Sequence, residues 1–426
     1  MSINLDAFES FVKILVIGVG GGGSNAVNEM IDDDLKSIDF WVFNTDAQAL
    51  ATSKSPNRLV IGETVTKGLG AGGVPDIGKQ AAMDSIDKIK EIIKDYDMVF
   101  IACGEGGGTG TGAAPVIAKA CKENGALTVA IVTRPFTFEG NTRLKRASAG
   151  IAELKNNVDS IIIVSNDKLM FMNGKRAIKD AFNESDRVLA QSVKTITDLI
   201  LLPGLINLDF ADVRNTLKEK GLALIGFGMG SGENKAEEAA TAAISSPLLE
   251  ASIKGARSAI VNITGGDGVT LDEAQNAVKY ISEVAGGDVN IIFGVQTNPE
   301  FNDTMLVSVI ATDFANEIDL SSASIITSRA HDNNENYVTQ RAVEQSAPVD
   351  DNKEQNDSKD FSEEDNILPN FFANINSNTV SSDDTSSNDS NNSQEKDEEQ
   401  SGNCSDGNIS EVEENNNTEG DNNGNI

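Results

Sequence analysis

Residues Gly104 to Gly112 read GEGGGTGTG, six glycines in nine positions. An apolar run, DMVFIAC at 97–103, precedes them, and a helix-like stretch, AAPVIAKACKENG at 113–125, follows. Each glycine inside a regular element costs about 0.5–1 kcal/mol relative to alanine. Bare backbone in this amount therefore points to a loop that must approach something closely. The segment contains no lysine, so any anion it holds is held by backbone N–H groups, with Thr109 and Thr111 as hydroxyl donors. A strand, a glycine loop and a helix in that order place the loop at the carboxyl edge of a parallel sheet.

The rest of the chain agrees with such a sheet. β-rich runs recur at 11–18, 38–44, 97–103, 126–133 and 158–165, and helical patterns lie between them at 24–32, 77–94, 113–124 and 141–156. Alternating strands and helices predict helices on both faces of a parallel sheet. The near-continuous Val and Ile of the strands fit burial on both sides. A long helix is predicted over 177–202, with Ile178, Phe182, Leu189, Val193, Ile196 and Ile200 on one stripe, stopped by Pro203 and Gly204. A second αβ region follows, with strands at 222–228, 258–265, 290–296 and 306–312 and helices at 235–245 and 271–284. No internal repeat is visible.

Two more glycine clusters stand at the same kind of position. GVGGGGSNAV at 18–27 contains a GxGxxG pattern at Gly18, Gly20 and Gly23, with a helix expected from about Ser24, and GLGAGG at 68–73 precedes a further helix. One GxGxxG alone is the common dinucleotide fingerprint, with Asp46 as the acidic residue that would hold a ribose. Three glycine loops on one edge suit a polyphosphate better. There is no GxxxxGK[ST], so the loop is not a P-loop.

Composition bounds the partners. Residues 331–426 carry 24 Asp plus Glu against 4 Lys plus Arg, with Asn at 21 of 96 positions, and read as a disordered acidic tail. The preceding 330 residues carry the remaining net charge of −12, which argues against nucleic-acid binding. No run approaches the ~18 apolar residues of a membrane helix. The N-terminus lacks a signal-peptide pattern, so no direct membrane insertion is expected. Cys103, Cys121 and Cys404 form no paired motif and suit a reducing compartment. His331, the one histidine, lies at the edge of the tail.

GGGTGTG at 106–112, GALTVAIVTRPFTFEG at 125–140 and ITDLILLPGLINLDFADV at 196–213 resemble the FtsZ branch of the tubulin/FtsZ superfamily of GTPases, across residues 12 to about 316. The resemblance implies an α/β fold: an N-terminal extension (1–11), a Rossmann-like GTP-binding domain with a parallel sheet (12–176), a long central helix (177–204), a second, smaller α/β domain (205–318) that serves polymerisation, and the tail (319–426). It implies GTP and GDP as ligands, with Mg²⁺ and K⁺. Gly21, Gly22, Gly23, Ser24 and Asn25 are expected at the phosphates, with Asn25 also near the base. Gly108, Thr109 and Gly110 are expected at the β and γ phosphates, and Ala71, Gly72 and Gly73 as sensors of the γ-phosphate. Glu139 is expected at the ribose and Arg143 at the phosphates. Asn166, Phe182 and Asp186 form the expected guanine pocket. A carboxylate there accepts from guanine N1–H and N2–H₂ together, donors that adenine lacks. Val74 stands where relatives often carry Asn.

No phosphate loop offers a group to activate water. Asn207, Asp209 and Asp212, in NLDFADV, have the chemistry to orient water and hold a cation, yet they lie beyond the long helix. The resemblance implies that this loop enters the nucleotide site of the next subunit, giving a head-to-tail homopolymer. The bland alternative is an ordinary helix start with a capping Asp. The apolar island at 361–375, with Ile367, Leu368, Phe371 and Phe372, is similar to the family's short peptide that docks on membrane-tethering division adaptors. The implied role is a filament-forming cytoplasmic GTPase at the mid-cell division site in bacteria. The competing readings are an NAD-linked oxidoreductase and a nucleotide-binding polymer without hydrolysis.

Overall fold

The computed structural model describes residues 12–35, 37–173 and 177–314. The island at 361–375 and the rest of the tail lie outside the described residues, as does the extension at 1–11.

Among the described residues ten strands form one sheet in the order β3-β2-β1-β4-β5-β6-β7-β10-β8-β9. They are β1 (Ile14–Val19), β2 (Asp39–Asn44), β3 (Asn57–Val60), β4 (Met98–Gly104), β5 (Leu127–Arg134), β6 (Ser160–Ser165), β7 (Gly221–Ser231), β8 (Ala256–Gly265), β9 (Asn290–Thr297) and β10 (Thr304–Phe314). From β3 to β7 all pairings are parallel. β10 breaks the pattern by running antiparallel between β7 and β8, while β9 is parallel to β8. The α/β class with a parallel sheet expected from the sequence is thus observed.

Helices cover both faces. They are α1 (Gly20–Asp32), α2 (Ala47–Ala51), α3 (Glu63–Thr66), α4 (Pro75–Asp84), α5 (Ile86–Ile93), α6 (Thr109–Glu123), α7 (Asn141–Lys155), α8 (Asn166–Asn173), α9 (Ile178–Leu201), α10 (Phe210–Leu217), α11 (Lys235–Ile244) and α12 (Leu271–Ala285). Strand alternation decides which face each residue fills. On β1, Ile14 and Val16 join Val27 and Met30 of α1 and Val193 and Ile196 of α9 in one core. Leu15, Ile17 and Val19 point the other way, into a core with Ala81, Ile89 and Ile117. A third core joins β7, β8 and β10 to α11 and α12 through Ala239, Ala277 and Val307.

Two expectations change. The helix expected over 77–94 is two helices, α4 and α5, broken at Ser85. The Ser85 hydroxyl accepts a buried hydrogen bond from Gly62 N–H at 2.9 Å, and its own N–H reaches the carbonyls of Ala81 and Ala82. The apolar stripe of α9 packs through Val188, Leu189, Val193, Ile196 and Leu199, whereas Ile178 (67 % exposed) and Phe182 (40 % exposed) project from its first turns outside the core. Twenty-four residues at 1.5 Å each give α9 a length of about 36 Å.

Candidate functional site

α1 begins at Gly20, four residues before Ser24, so the glycine run is itself the first turn of the helix. Packing forces this. A side chain on Gly18 would overlap Gly23 O, and one on Gly23 would overlap Ala102 O. The helix can therefore turn back against β1 and β4 only with bare backbone at both positions. No side chain caps α1, and none caps α6, whose N-cap is Gly108. Uncapped helix starts leave N–H groups unpaired within the helix and carry the positive end of the dipole.

These two starts lie side by side. A side-chain carbon on Gly20 would stand 2.9 Å from Gly110 N, and one on Gly22 would stand 3.2 Å from Gly104 N. The third glycine loop closes the row: a carbon on Gly108 would stand 2.8 Å from Ala71 Cβ, 2.9 Å from Val74 N and 3.2 Å from Gly73 C. At Gly21, Gly72 and Gly107 the same construction meets nothing within 4 Å, so these three face open space. The three loops thus converge on one edge, as the spacing predicts.

The hydroxyls are partly committed. Ser24 Oγ donates to Gly20 O at 2.6 Å and is buried, which fixes the first turn of α1. Thr111 Oγ1 accepts from Gly106 N–H at 2.8 Å, which shapes the loop, and the residue is buried rather than on the open face. Thr109 Oγ1 is 2.6 Å from Thr45 Oγ1. Beneath the loop, Glu105 is buried. Its Oε1 lies 3.5 Å from Cys103 Sγ, and its Oε2 has no hydrogen-bond partner. Burial pushes its carboxyl up to about 7.

The expected base pocket comes from α8, α9 and the turn before α7. Asn166 is buried, and its Oδ1 accepts from Ser185 Oγ at 2.8 Å, which orients the amide. Phe182 packs edge-on against Phe136 at 5.1 Å, and Phe138 stacks on Phe136 at 4.9 Å. Asp186 is pushed up to about 7, chiefly by burial and then by the charge of Glu29 on α1. Glu29 itself receives Arg187 Nε at 3.0 Å. Asn25 is exposed on α1. Glu139, expected at a ribose, has both carboxylate oxygens engaged: Oε1 accepts from Phe136 N–H at 3.0 Å and Oε2 pairs with Arg143 at 2.6 Å. Glu139 and Arg143, expected at the ribose and the phosphates, are here paired with each other.

Asp46 does not serve the dinucleotide reading. Its carboxylate caps α2 by accepting from Gln48 and Ala49 N–H, and its backbone bridges to Leu69 in the third glycine loop. The ribose-binding acid of that alternative is thus a helix cap.

Asn207, Asp209 and Asp212 are exposed and stand past the far end of α9 from Asp186. Asn207 Oδ1 accepts from Gly204 N–H, and the loop is clamped to β9 by Leu205 N–H and Ile206 N–H on Val295 O. Asp209 caps α10 by accepting from Asp212 N–H at 2.8 Å, so one of its oxygens does the bland capping work. The structure does not bring these three residues to the glycine loops of the same chain. Among the described residues no three His, Cys, Asp or Glu side chains gather as a metal site, so a cation held at Asp209 and Asp212 would need oxygen ligands from elsewhere.

Sequence reasoning did not single out Glu29, Thr45, Glu105, Phe136 or Arg146. Glu29, Thr45 and Arg146 sit outside any local motif that would mark them, whereas Glu105 and Phe136 lie inside the quoted segments.

Comparison with known proteins gives two family matches: the Tubulin/FtsZ family GTPase domain over residues 13–174 and the FtsZ family C-terminal domain over residues 221–315. An FtsZ dimer from M. jannaschii is similar at 40% identity and TM-score 0.70, over 74% of this chain and 92% of that one. A mutant FtsZ from the same organism matches at 41% identity and TM-score 0.69, over 72% and 93%. CetZ2 from Haloferax volcanii, in a GTPγS-bound protofilament, shares the fold at 20% identity and TM-score 0.62, over 76% and 100%.

Proposed function

The chain belongs to the FtsZ family and is a GTPase, and from that premise we propose that it hydrolyses GTP only when copies stack head to tail, each completing its neighbour's site. The observation that carries the proposal is the separation of parts. Asp186, which faces Glu29 of α1, stands in the third turn of α9, and the exposed Asp209 and Asp212 lie past the other end of that helix, whose remaining 15 residues after Asp186 span about 22 Å. A contact that joins one end to the other on the next copy is heterologous and propagates as a filament. The FtsZ dimer among the similar structures supports self-association of this chain.

In this reading the N–H groups at Gly20–Gly23 and Gly108–Gly110 hold the phosphates, with Ala71, Gly72 and Gly73 closing over the terminal one. Asp186 accepts from guanine N1–H and N2–H₂, with Phe182 against the base and Asn166 beside it. Arg143, released from Glu139, swings to the phosphates, which frees the carboxylate for the ribose. Asp209 and Asp212 of the adjacent copy orient a water whose oxygen bonds to the γ-phosphorus. The bond from that phosphorus to the β–γ bridging oxygen breaks, yielding GDP and phosphate. Mg²⁺ bound with the nucleotide, and K⁺ near it, would supply charge neutralisation, with Asp209 and Asp212 as protein ligands shared with phosphate oxygens.

The biological role that fits is a division filament in the cytoplasm at mid-cell, attached to membrane adaptors by the island at 361–375. No helix among the described residues is long and apolar enough to cross a membrane. A complementation assay tests the shared site. Asp212→Ala keeps the phosphate cradle, and Thr109→Glu blocks it by charge. Each alone is expected to be nearly inactive. An equimolar mixture should regain activity, because about a quarter of random head-to-tail contacts join an intact cradle to an intact loop. Phosphate release equal to the sum of the two parents refutes the shared site.

A further inference from the structure

α7 passes along the row of glycine loops, and its inward face carries Arg143, Arg146 and Gly150 at helical spacing. At the near end, Arg143 covers the signature loop: a side chain on Gly106 would stand 2.7 Å from Arg143 Cγ. One turn further on, Arg146 Nη1 lies 3.5 Å from where a side-chain carbon on Gly73 would stand. Arg143 pairs with Glu139 at 2.6 Å and Lys79 with Glu153 at 2.7 Å. Arg146, half-buried, has no ion pair or hydrogen bond among the described residues.

Contacts order the site from one end to the other. Asp186 faces Glu29 of α1, the start of α1 packs on the start of α6 at Gly110, Gly108 packs on Gly73, and Gly73 faces Arg146. Along this chain of contacts Arg146 follows Gly108 by way of Gly73, on the loop expected at the terminal phosphate. An unpaired guanidinium at that end, beside a backbone loop with positive φ at Gly72 and Gly73, has the chemistry to recognise a terminal phosphate.

We propose that Arg146 contacts the terminal phosphate of the bound triphosphate and is the residue by which this chain distinguishes GTP from GDP. The proposal rests on the nucleotide reading above and adds a second arginine, absent from that reading, to the phosphate end of the site.

The test measures binding of a fluorescent GDP and of GTPγS to the full chain below assembling concentrations, for wild type, Arg146→Gln and Arg146→Lys. Loss of a charge-assisted bond to phosphate should weaken GTPγS about tenfold in Arg146→Gln and leave GDP within about twofold, with Lys restoring part of the loss. The GTPγS loss should shrink as salt rises. Equal weakening of both nucleotides would show a structural role for Arg146, and no change in either would make it a free surface cation. Both results overturn the proposal. Failure of the wild type to bind either nucleotide would instead remove the nucleotide reading itself.

Discussion

Glu105 offers a stability test that needs no nucleotide. Its carboxyl is buried under the signature loop and pushed from the usual 4.5 up to about 7 by burial. The sign follows from linkage. The folded chain keeps a proton on Glu105 that the unfolded chain releases above about pH 4.5, so the contribution is fully present below that pH and is lost as pH rises through about 7. Each pH unit of separation carries about 1.4 kcal/mol, so the full effect is on the order of 3 kcal/mol, of which about 2.5 falls between pH 5 and pH 8. Glu105→Gln keeps the shape and removes the ionisation. Urea unfolding of wild type and variant at pH 5, 6, 7 and 8 reads the effect as a difference. Asp186, Asp198 and Glu250, all raised chiefly by burial, titrate in both proteins and cancel. The variant should gain on the wild type as pH rises, by about 2–3 kcal/mol from pH 5 to pH 8. Parallel stability curves would refute the burial argument for Glu105.

Asp186→Ala should weaken GTP about a hundredfold and narrow its advantage over ATP, because the guanine donors lose their paired acceptor; equal GTP and ATP affinity in the wild type, by isothermal titration, would remove the guanine pocket. Phe371→Ala with Phe372→Ala should leave phosphate release unchanged and release filaments from adaptor-coated vesicles on co-sedimentation, since a few aromatic side chains dominate short-peptide contacts. Unchanged co-sedimentation would make the island at 361–375 ordinary tail.

Much of the fold was legible because buried parallel strands leave a mark in the sequence. The runs at 97–103 and 126–133 emerged as β4 and β5 within one residue at each end. β3 was not, because four residues, NRLV, carry no period. The place of β10 was not legible either: an antiparallel strand between β7 and β8 has the same apolar run as a parallel one, and strand order is set by packing across distant segments. The glycine run in α1 misled in the opposite direction. Helix propensity argues against Gly20–Gly23 as a first turn, yet close packing of Gly18 on Gly23 and of Gly23 on Ala102 overrides it. The convergence of the first two glycine loops could be argued from their common place between a strand and a helix, whereas the third follows α3 and its place beside Gly108 is set by packing. The engagement of Glu139 with Phe136 N–H and Arg143 depends on the turn before α7, which no spacing records. Glu29 beside Asp186, Thr45 beside Thr109 and Arg146 beside Gly73 depend on tertiary neighbours that no local spacing records.

In the proposed head-to-tail arrangement a single copy cannot hydrolyse GTP. Phosphate release per subunit, measured at saturating GTP from nanomolar to micromolar total protein, tests it most directly. A site shared between copies predicts a rate per subunit near zero at the dilute end, rising steeply once subunits associate and then levelling. A rate per subunit that stays constant down to concentrations where sedimentation shows only monomers would contradict it.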